Sequence, residues 1–304
     1  MASRPFVLGF LGVVAVPSTL LYSAVLRAIV KERNAHAAYR TFFFTLSLSQ
    51  AFFDLGFVWC YLIFSVVLEI PFLYPALVAL NGSPIPRFAY AFVYFFLYAQ
   101  FLGVLLSSMQ RALSTLNILP FVDHQLNRLA LPYLFLLQFF LSCLSILNIY
   151  LQQDIQYSIK PNGAIDRNFL PQNLNTNTFI ATILTLAFAL IAAVCYIAIV
   201  VSIRRNTIVP NRRDKMPLSC GIAIFLCMLL CTAYYSTMEA LTRNGKAEAV
   251  LVVRQFYPLC SFLLSFINPW MLLFTARDIR RRVFALSTSI YKRPSVSKTV
   301  NISR

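Results

Sequence analysis

Seven long stretches of this chain carry no charged residue, apart from one aspartate in the second. They are 6–26, 41–68, 88–110, 129–153, 168–203, 216–238 and 255–276. A helix needs about 20 predominantly apolar residues to cross the hydrocarbon of a bilayer. A membrane span must also satisfy its own backbone, which restricts it to helices or closed barrels. The runs are far too long for barrel strands, so the expected fold class is all-α: a seven-transmembrane helix bundle. Composition agrees. The chain is 59% hydrophobic and 12% charged, against about 25% charged residues in soluble domains. In the fifth run the polar lead 168–178 places the start of the membrane part near Phe179.

The charges between the runs set the orientation. Of the 26 Lys and Arg residues, 19 fall in the first, second and third loops of one side and in the tail. The other seven (Arg4, Arg87, Lys160, Arg167, Arg243, Lys246 and Arg254) fall on the opposite side. The positive-inside rule makes the richer side cytoplasmic. The N-terminus is then outside and the C-terminus cytoplasmic, and an even number of spans would spoil the alternation. The first run follows only Arg4 and precedes Arg27, Lys31 and Arg33, which reads as an uncleaved span rather than a signal peptide. Residues 1–284 form one membrane domain, and 285–304 read as a cytoplasmic tail without fixed structure. The net charge of +16 follows this topology, so no nucleic-acid partner is expected.

The loops are short. The longest outer one, 154–178, is rich in Asn, Gln and Pro. The outer loop near residue 81 carries Asn81-Gly82-Ser83, a glycosylation acceptor pattern, followed by Pro84. The seven cysteines all lie in apolar runs and imply no disulfide framework. Cys227 and Cys231 share a helix face, but a metal site needs further ligands, and His36 and His124 lie in loops. No metal or cofactor is expected.

Polar residues inside the spans are the candidates for function. Asp54 is the one acid deep in a helix, on a stripe with Ser47, Gln50, Tyr61 and Ser65. It reads either as a switch or ion site, or as a neutral, hydrogen-bonded residue that joins helices. In the last span Arg254, Tyr257, Ser261, Ser265 and Asn268 follow helical spacing. Tyr235 and Glu239 share a face of the sixth span. Glu239 and Arg254 either pair across the bundle or both reach out to water. Tyr90, Tyr94 and Tyr98 recur every four residues in the third span. Tyr90 suits an aromatic belt, while Tyr94 and Tyr98 either line a pocket or pack. Pro269 interrupts the last span near its inner end and offers a hinge. A basic amphipathic helix follows it at 275–284. Ile279, Val283 and Leu286 are spaced to lie on the membrane, with arginines toward lipid phosphates.

These features together resemble a G-protein-coupled receptor. Phe266-Ile267-Asn268-Pro269-Trp270 resembles the Asn-Pro motif of the rhodopsin-like seventh helix. Gln110-Arg111 resembles the acid-arginine pair at the end of the third helix, with Gln in place of the acid, and Asp54 matches the polar site of the second. The usual outer-loop disulfide cysteines and the internal proline of the sixth helix are absent. The short N-terminus and the ending SFINPWMLLFTARDIRRRVF look most like nematode serpentine chemoreceptors of the gamma (Srg/Srv) group.

The resemblance implies a chemosensory receptor at the plasma membrane, extending to sensory cilia. It would bind a small-molecule ligand from outside and activate a heterotrimeric G protein. Tyr94, Tyr98, Tyr235, Glu239, Arg254 and Tyr257 become candidate ligand-site residues. Asp54, Arg111, Asn268 and Pro269 become the activation switch. Arg111, Arg204, Arg205, Arg212, Arg213 and Lys215 become the G-protein contact. The alternative is a transporter or channel, which would want several buried acids or rings of charge. An enzyme is not expected, because no histidine lies in any span. An opsin is not expected, because the last run has no lysine.

Overall fold

The computed structural model describes residues 4–35, 39, 41–116, 131–152, 155–159, 165–169, 171–205 and 212–291. Among them seven helices are long and apolar enough to cross a membrane. Helices α1 (Arg4–Ala35) and α2 (Phe42–Val67) form the first two spans. The short α3 (Tyr74–Ala79) connects them to the third span, α4 (Ile85–Leu116). The fourth span is α5 (Leu131–Gln152), the fifth α6 (Pro171–Arg204) and the sixth α7 (Arg212–Arg243). The seventh comprises α8 (Ala247–Arg254) and α9 (Tyr257–Thr275), and α10 (Arg277–Tyr291) follows it.

The third span is the axis of the bundle. In its most apolar stretch 83% of residues are buried, against 22% in the fifth span. It packs on the second, fourth, fifth and sixth spans. Within lipid, helices associate through close packing rather than through expulsion of water. The interior accordingly interdigitates large rings such as Phe53, Phe57 and Phe101, all fully buried.

Three features depart from the sequence expectation. The loop 154–178 holds a β-hairpin, β1 (Ile155–Ile159) and β2 (Ile165–Phe169), paired antiparallel with Tyr157 opposite Arg167. The fifth helix begins at Pro171, ahead of the membrane part. The seventh span is longer than its uncharged run and is broken: α8 ends at Arg254, just before the run, and α9 starts with Pro258 in its first turn. A proline there cannot donate to the preceding turn, so it begins a helix more readily than it continues one. Gly245, at φ 65°, closes α7, with Lys246 N–H donating to the Leu241 carbonyl. That is a left-handed cap that suits glycine.

The hairpin is fastened by one side chain. Asn81 Nδ2 donates to the Tyr157 carbonyl at 2.9 Å, and Tyr157 N–H donates to Asn81 Oδ1 at 2.7 Å. Taking both backbone groups of one strand residue, Asn81 caps the free edge of β1 as another strand would. Leu68, Leu77, Tyr157 and Ile165 form a small core beneath it.

At the opposite end, α10 docks on the bundle. Ile279 is fully buried and packs with Val25, Ala28, Ile29, Leu272 and Ala276, and Val283 packs against the same cluster. This corrects the expectation that Ile279 and Val283 lie on the membrane. Their spacing is amphipathic, but the apolar face is spent on α1 and α9. Arg282 forms an ion pair with Glu32, whose side chain is 4% exposed. Burial, and then the neighbouring Asp278 carboxylate, raise the Tyr39 phenol above its ordinary range. The helix continues to Tyr291, past residue 284, where the sequence reading ends the membrane domain. His36, His124 and the tail from 292 lie outside the described residues.

Candidate functional site

The polar and aromatic residues form three layers along the bundle axis. The first is a tyrosine cluster at the hairpin end. The third span contributes Tyr90, Tyr94 and Tyr98, and the Tyr90 hydroxyl donates to that of Tyr94 at 3.1 Å. The sixth span contributes Tyr234 and Tyr235, and the seventh Tyr257. The Tyr257 ring lies 5.7 Å from Tyr234 and 6.3 Å from Tyr235. Tyr61 from the second span closes the group, 5.9 Å from Tyr257. The structure therefore brings together four of the six candidate ligand residues: Tyr94, Tyr98, Tyr235 and Tyr257. Tyr61, which the sequence placed on the Asp54 stripe, and Tyr234 join them. The hydroxyls of Tyr98, Tyr235 and Tyr257 are buried without a hydrogen-bond partner among the described residues. The Tyr257 hydroxyl approaches those of Tyr235 and Ser261, though neither contact closes with hydrogen-bond geometry.

The other two candidates lie at the edge of the cluster, where Arg254 acts on Tyr234. Arg254 ends α8, is exposed, and is separated from Tyr257 by the break in the helix. The single continuous stripe from Arg254 to Asn268 is thus corrected, because Pro258 starts a new helix. Glu239 accepts from Arg243 Nε at 2.5 Å, one turn further along the same helix. Its Oε2 is buried without a partner among the described residues.

The second layer surrounds Asp54, which is 2% exposed. Tyr22 of the first span donates to Oδ2 at 2.6 Å, and Gln50 Nε2 donates to Oδ1 at 3.0 Å. Gln138 of the fourth span donates to Gln50 Oε1 at 3.1 Å and accepts from Ser49. Gln100 of the third span donates to Ser265 of the seventh at 2.7 Å. Five spans thus meet in one polar network, as buried polar groups in lipid require. Gly103 makes room for it, since a Cβ there would overlap Gln50 Oε1. Asn268 lies beside Tyr22, is 4% exposed, and its Oδ1 has no partner among the described residues. It lines a small cleft of about 20 Å³ together with Phe43, Ser47, Gln50 and Gly103. Tyr22, Ser49, Gln100 and Gln138 escaped the sequence reading. Gln100 and Gln138 carried a signal, as polar amides within apolar runs.

The third layer closes around Arg111 at the tail end. Its side chain is buried, with the residue 4% exposed. Nη1 donates to the Tyr196 hydroxyl of the fifth span at 3.3 Å, and the guanidinium lies 5.1 Å from the Phe43 ring centroid. Its other face meets the bare backbone at Gly221 of the sixth span, where a Cβ would overlap Nη1 and the Tyr196 hydroxyl. Nε and Nη2 have no partner among the described residues. Arg204 and Arg205 are exposed at this end. The side chains of Arg212, Arg213 and Lys215 lie outside the described residues.

A packed aromatic cluster with unpartnered hydroxyls, a polar relay and a covered arginine thus stand in line through one helical bundle. Residues 10–288 match the sequence model of the family described as serpentine type 7TM GPCR chemoreceptor Srv. No curated protein matches the chain.

Proposed function

We propose that this chain, which belongs to the Srv family of serpentine seven-transmembrane chemoreceptors, takes a small-molecule ligand in the tyrosine cluster and signals through Arg111 to a heterotrimeric G protein. Its kind is a multi-pass membrane chemoreceptor. The finer reading adds that the hairpin end faces outside at the plasma membrane, sensory cilia included, and that α10 lies in the cytoplasm. The transporter or channel alternative gives way to the family.

The observation that carries the signalling part is the burial of Arg111. A guanidinium that is 4% exposed cannot touch a cytoplasmic partner. It is covered by Gly221 of the sixth span, so the packing seen is the closed one. Moving the sixth span away uncovers the arginine beside the exposed Arg204 and Arg205. A ligand that favours the packing with the sixth span displaced shifts the population toward it. The Asp54 network joins the first, second, third, fourth and seventh spans, and so couples the two ends.

The test has two parts. A tag at Met1 should be reachable by antibody on intact cells, and a tag after Arg304 only after permeabilisation. The reverse result defeats the orientation. Arg111→Ala should abolish G-protein activation at unchanged surface level. Full activation by the variant would make Arg111 a flanking charge only.

A further inference from the structure

Resting on the reading of the tyrosine cluster as the ligand site, we propose that the ligand is an uncharged, largely apolar molecule bearing a hydrogen-bonding oxygen, such as an alcohol or ketone, read by the hydroxyls of Tyr98 and Tyr235.

Depth excludes charge. Tyr98 lies eight residues along α4 from Tyr90, about 12 Å at 1.5 Å per residue, and is 2% exposed. An ion carried that far from water needs a counter-charge, and without one its transfer costs several kcal/mol or more. The nearby charges lie at the rim. Glu239, one turn beyond Tyr235, is engaged by Arg243 through Oε1, and its Oε2 is buried without a partner among the described residues. Arg254 is exposed on α8 and acts on Tyr234 at the edge of the cluster. An ion held at the rim, a carboxylate by Arg254 or an ammonium by Glu239, would leave Tyr98 unmet.

The hydroxyls exclude the two remaining classes. Tyrosine faces attract a quaternary ammonium, by about 2 kcal/mol when desolvated. Such a cation has no hydrogen-bonding group and leaves Tyr98 and Tyr235 as they are. A pure hydrocarbon does the same. A phenol both donates and accepts. Tyr98 and Tyr235, 2% and 4% exposed, lack partners among the described residues, and a buried orphan of this kind costs about 1–3 kcal/mol. A ligand oxygen removes that penalty, while the rings of Tyr61, Tyr94 and Tyr257 cover its apolar body.

The experiment measures binding directly, on the purified full-length receptor in detergent, by thermal shift against a matched six-carbon series. The probes are hexanol, hexanone, hexane, hexanoate and hexyltrimethylammonium. Hexanol and hexanone should bind saturably and more tightly than the other three. Tyr98→Phe and Tyr235→Phe, checked for melting no lower than wild type without probe, should each weaken hexanol and hexanone about five- to tenfold. That is the loss of one hydrogen bond. Neither should alter hexane. Having two variants keeps the test valid if one folds poorly. Saturable binding of either ion at equal or greater affinity, equal binding of hexane and hexanol, or no saturable binding by any probe overturns the proposal. Tight hexanol binding untouched by both variants moves the site elsewhere and defeats the cluster reading. Tight ion binding that the variants do weaken keeps the site and refutes only the ligand class. No G protein enters the assay, so a failure of coupling shows separately.

Discussion

Gly221→Ala should open the tail end of the bundle and raise ligand-independent activity. The added methyl would overlap Arg111 Nη1 and the Tyr196 hydroxyl, so either the guanidinium or the sixth span must move. Displacing the guanidinium removes its hydrogen bond to Tyr196 at 3.3 Å and its contact with the Phe43 ring. A hydrogen bond to a charged group contributes about 1.5–3 kcal/mol, and a desolvated cation–π contact about 2 kcal/mol. A loss of about 2 kcal/mol from the closed packing alone changes the closed-to-open ratio roughly 30-fold, for example from about 99:1 to about 3:1. The local helix does not suffer, since Gly to Ala gains about 1 kcal/mol of helix propensity. Reduced folding is therefore not the expected outcome.

Two assays read the opening independently. Basal nucleotide exchange on a co-expressed G protein, at matched surface level, should rise toward the ligand-stimulated level. Cys220, adjacent and fully buried with its thiol 3.2 Å from the Thr275 hydroxyl, should react faster with a maleimide, using Cys220→Ala as the background. Tyr196→Phe removes the hydrogen bond without the steric push and should give a smaller rise. Unchanged basal activity together with unchanged Cys220 labelling in Gly221→Ala would refute the closing role of Gly221. A fall in both would reverse the assignment of the packing.

The remaining predictions concern the fastenings at either end. Arg282→Ala takes the Arg282 guanidinium from the buried Glu32 carboxylate, which should lower the unfolding midpoint. The cost is about 1–3 kcal/mol, below the range for fully buried pairs because Arg282 is 32% exposed. The swap Glu32→Arg with Arg282→Glu should restore part of it, and a swap no better than the single changes would remove the pair from the stability account. Asn81→Ala should free the edge of β1 and speed proteolysis of the hairpin in intact cells. The wild type should show no mobility shift with a glycosidase, because the Asn81 amide is engaged with Tyr157. Asp54→Asn should preserve the network's hydrogen bonds to Tyr22 and Gln50 better than Asp54→Ala, and hence surface expression. Equal loss in both would point to the charge rather than the bonding.

The spans and their polar positions were legible in the sequence because lipid imposes a simple rule: long runs without charge, and anything polar inside them needs a reason. Asp54, Asn268 and the tyrosines at 94, 98, 235 and 257 all met that rule, and Arg111 stood out as the charge that ends the third run. The pattern Ile155-Gln156-Tyr157-Ser158-Ile159 alternates as a strand does, and Pro258 marks a helix start, both local signals that a lack of charge does not carry.

What the sequence could not supply is rotation. A soluble helix shows its buried face through its polar one. In a bilayer both faces are apolar, so the phase of each helix is set only when its neighbours pack. That is why Tyr22 and Gln138, from the first and fourth spans, enter the Asp54 network unannounced. It is also why the spacing alone left open whether Glu239 pairs across the bundle or reaches outward, while the structure pairs its Oε1 with Arg243. The same argument reaches the glycines. Gly103 and Gly221 carry no side chain to interpret, and their meaning lies in what approaches them: Gln50 in one case, Arg111 in the other. A receptor that replaces the acid before its arginine with Gln110 must hold that arginine by other means. It does so with a phenol, an aromatic ring and an absent methyl group.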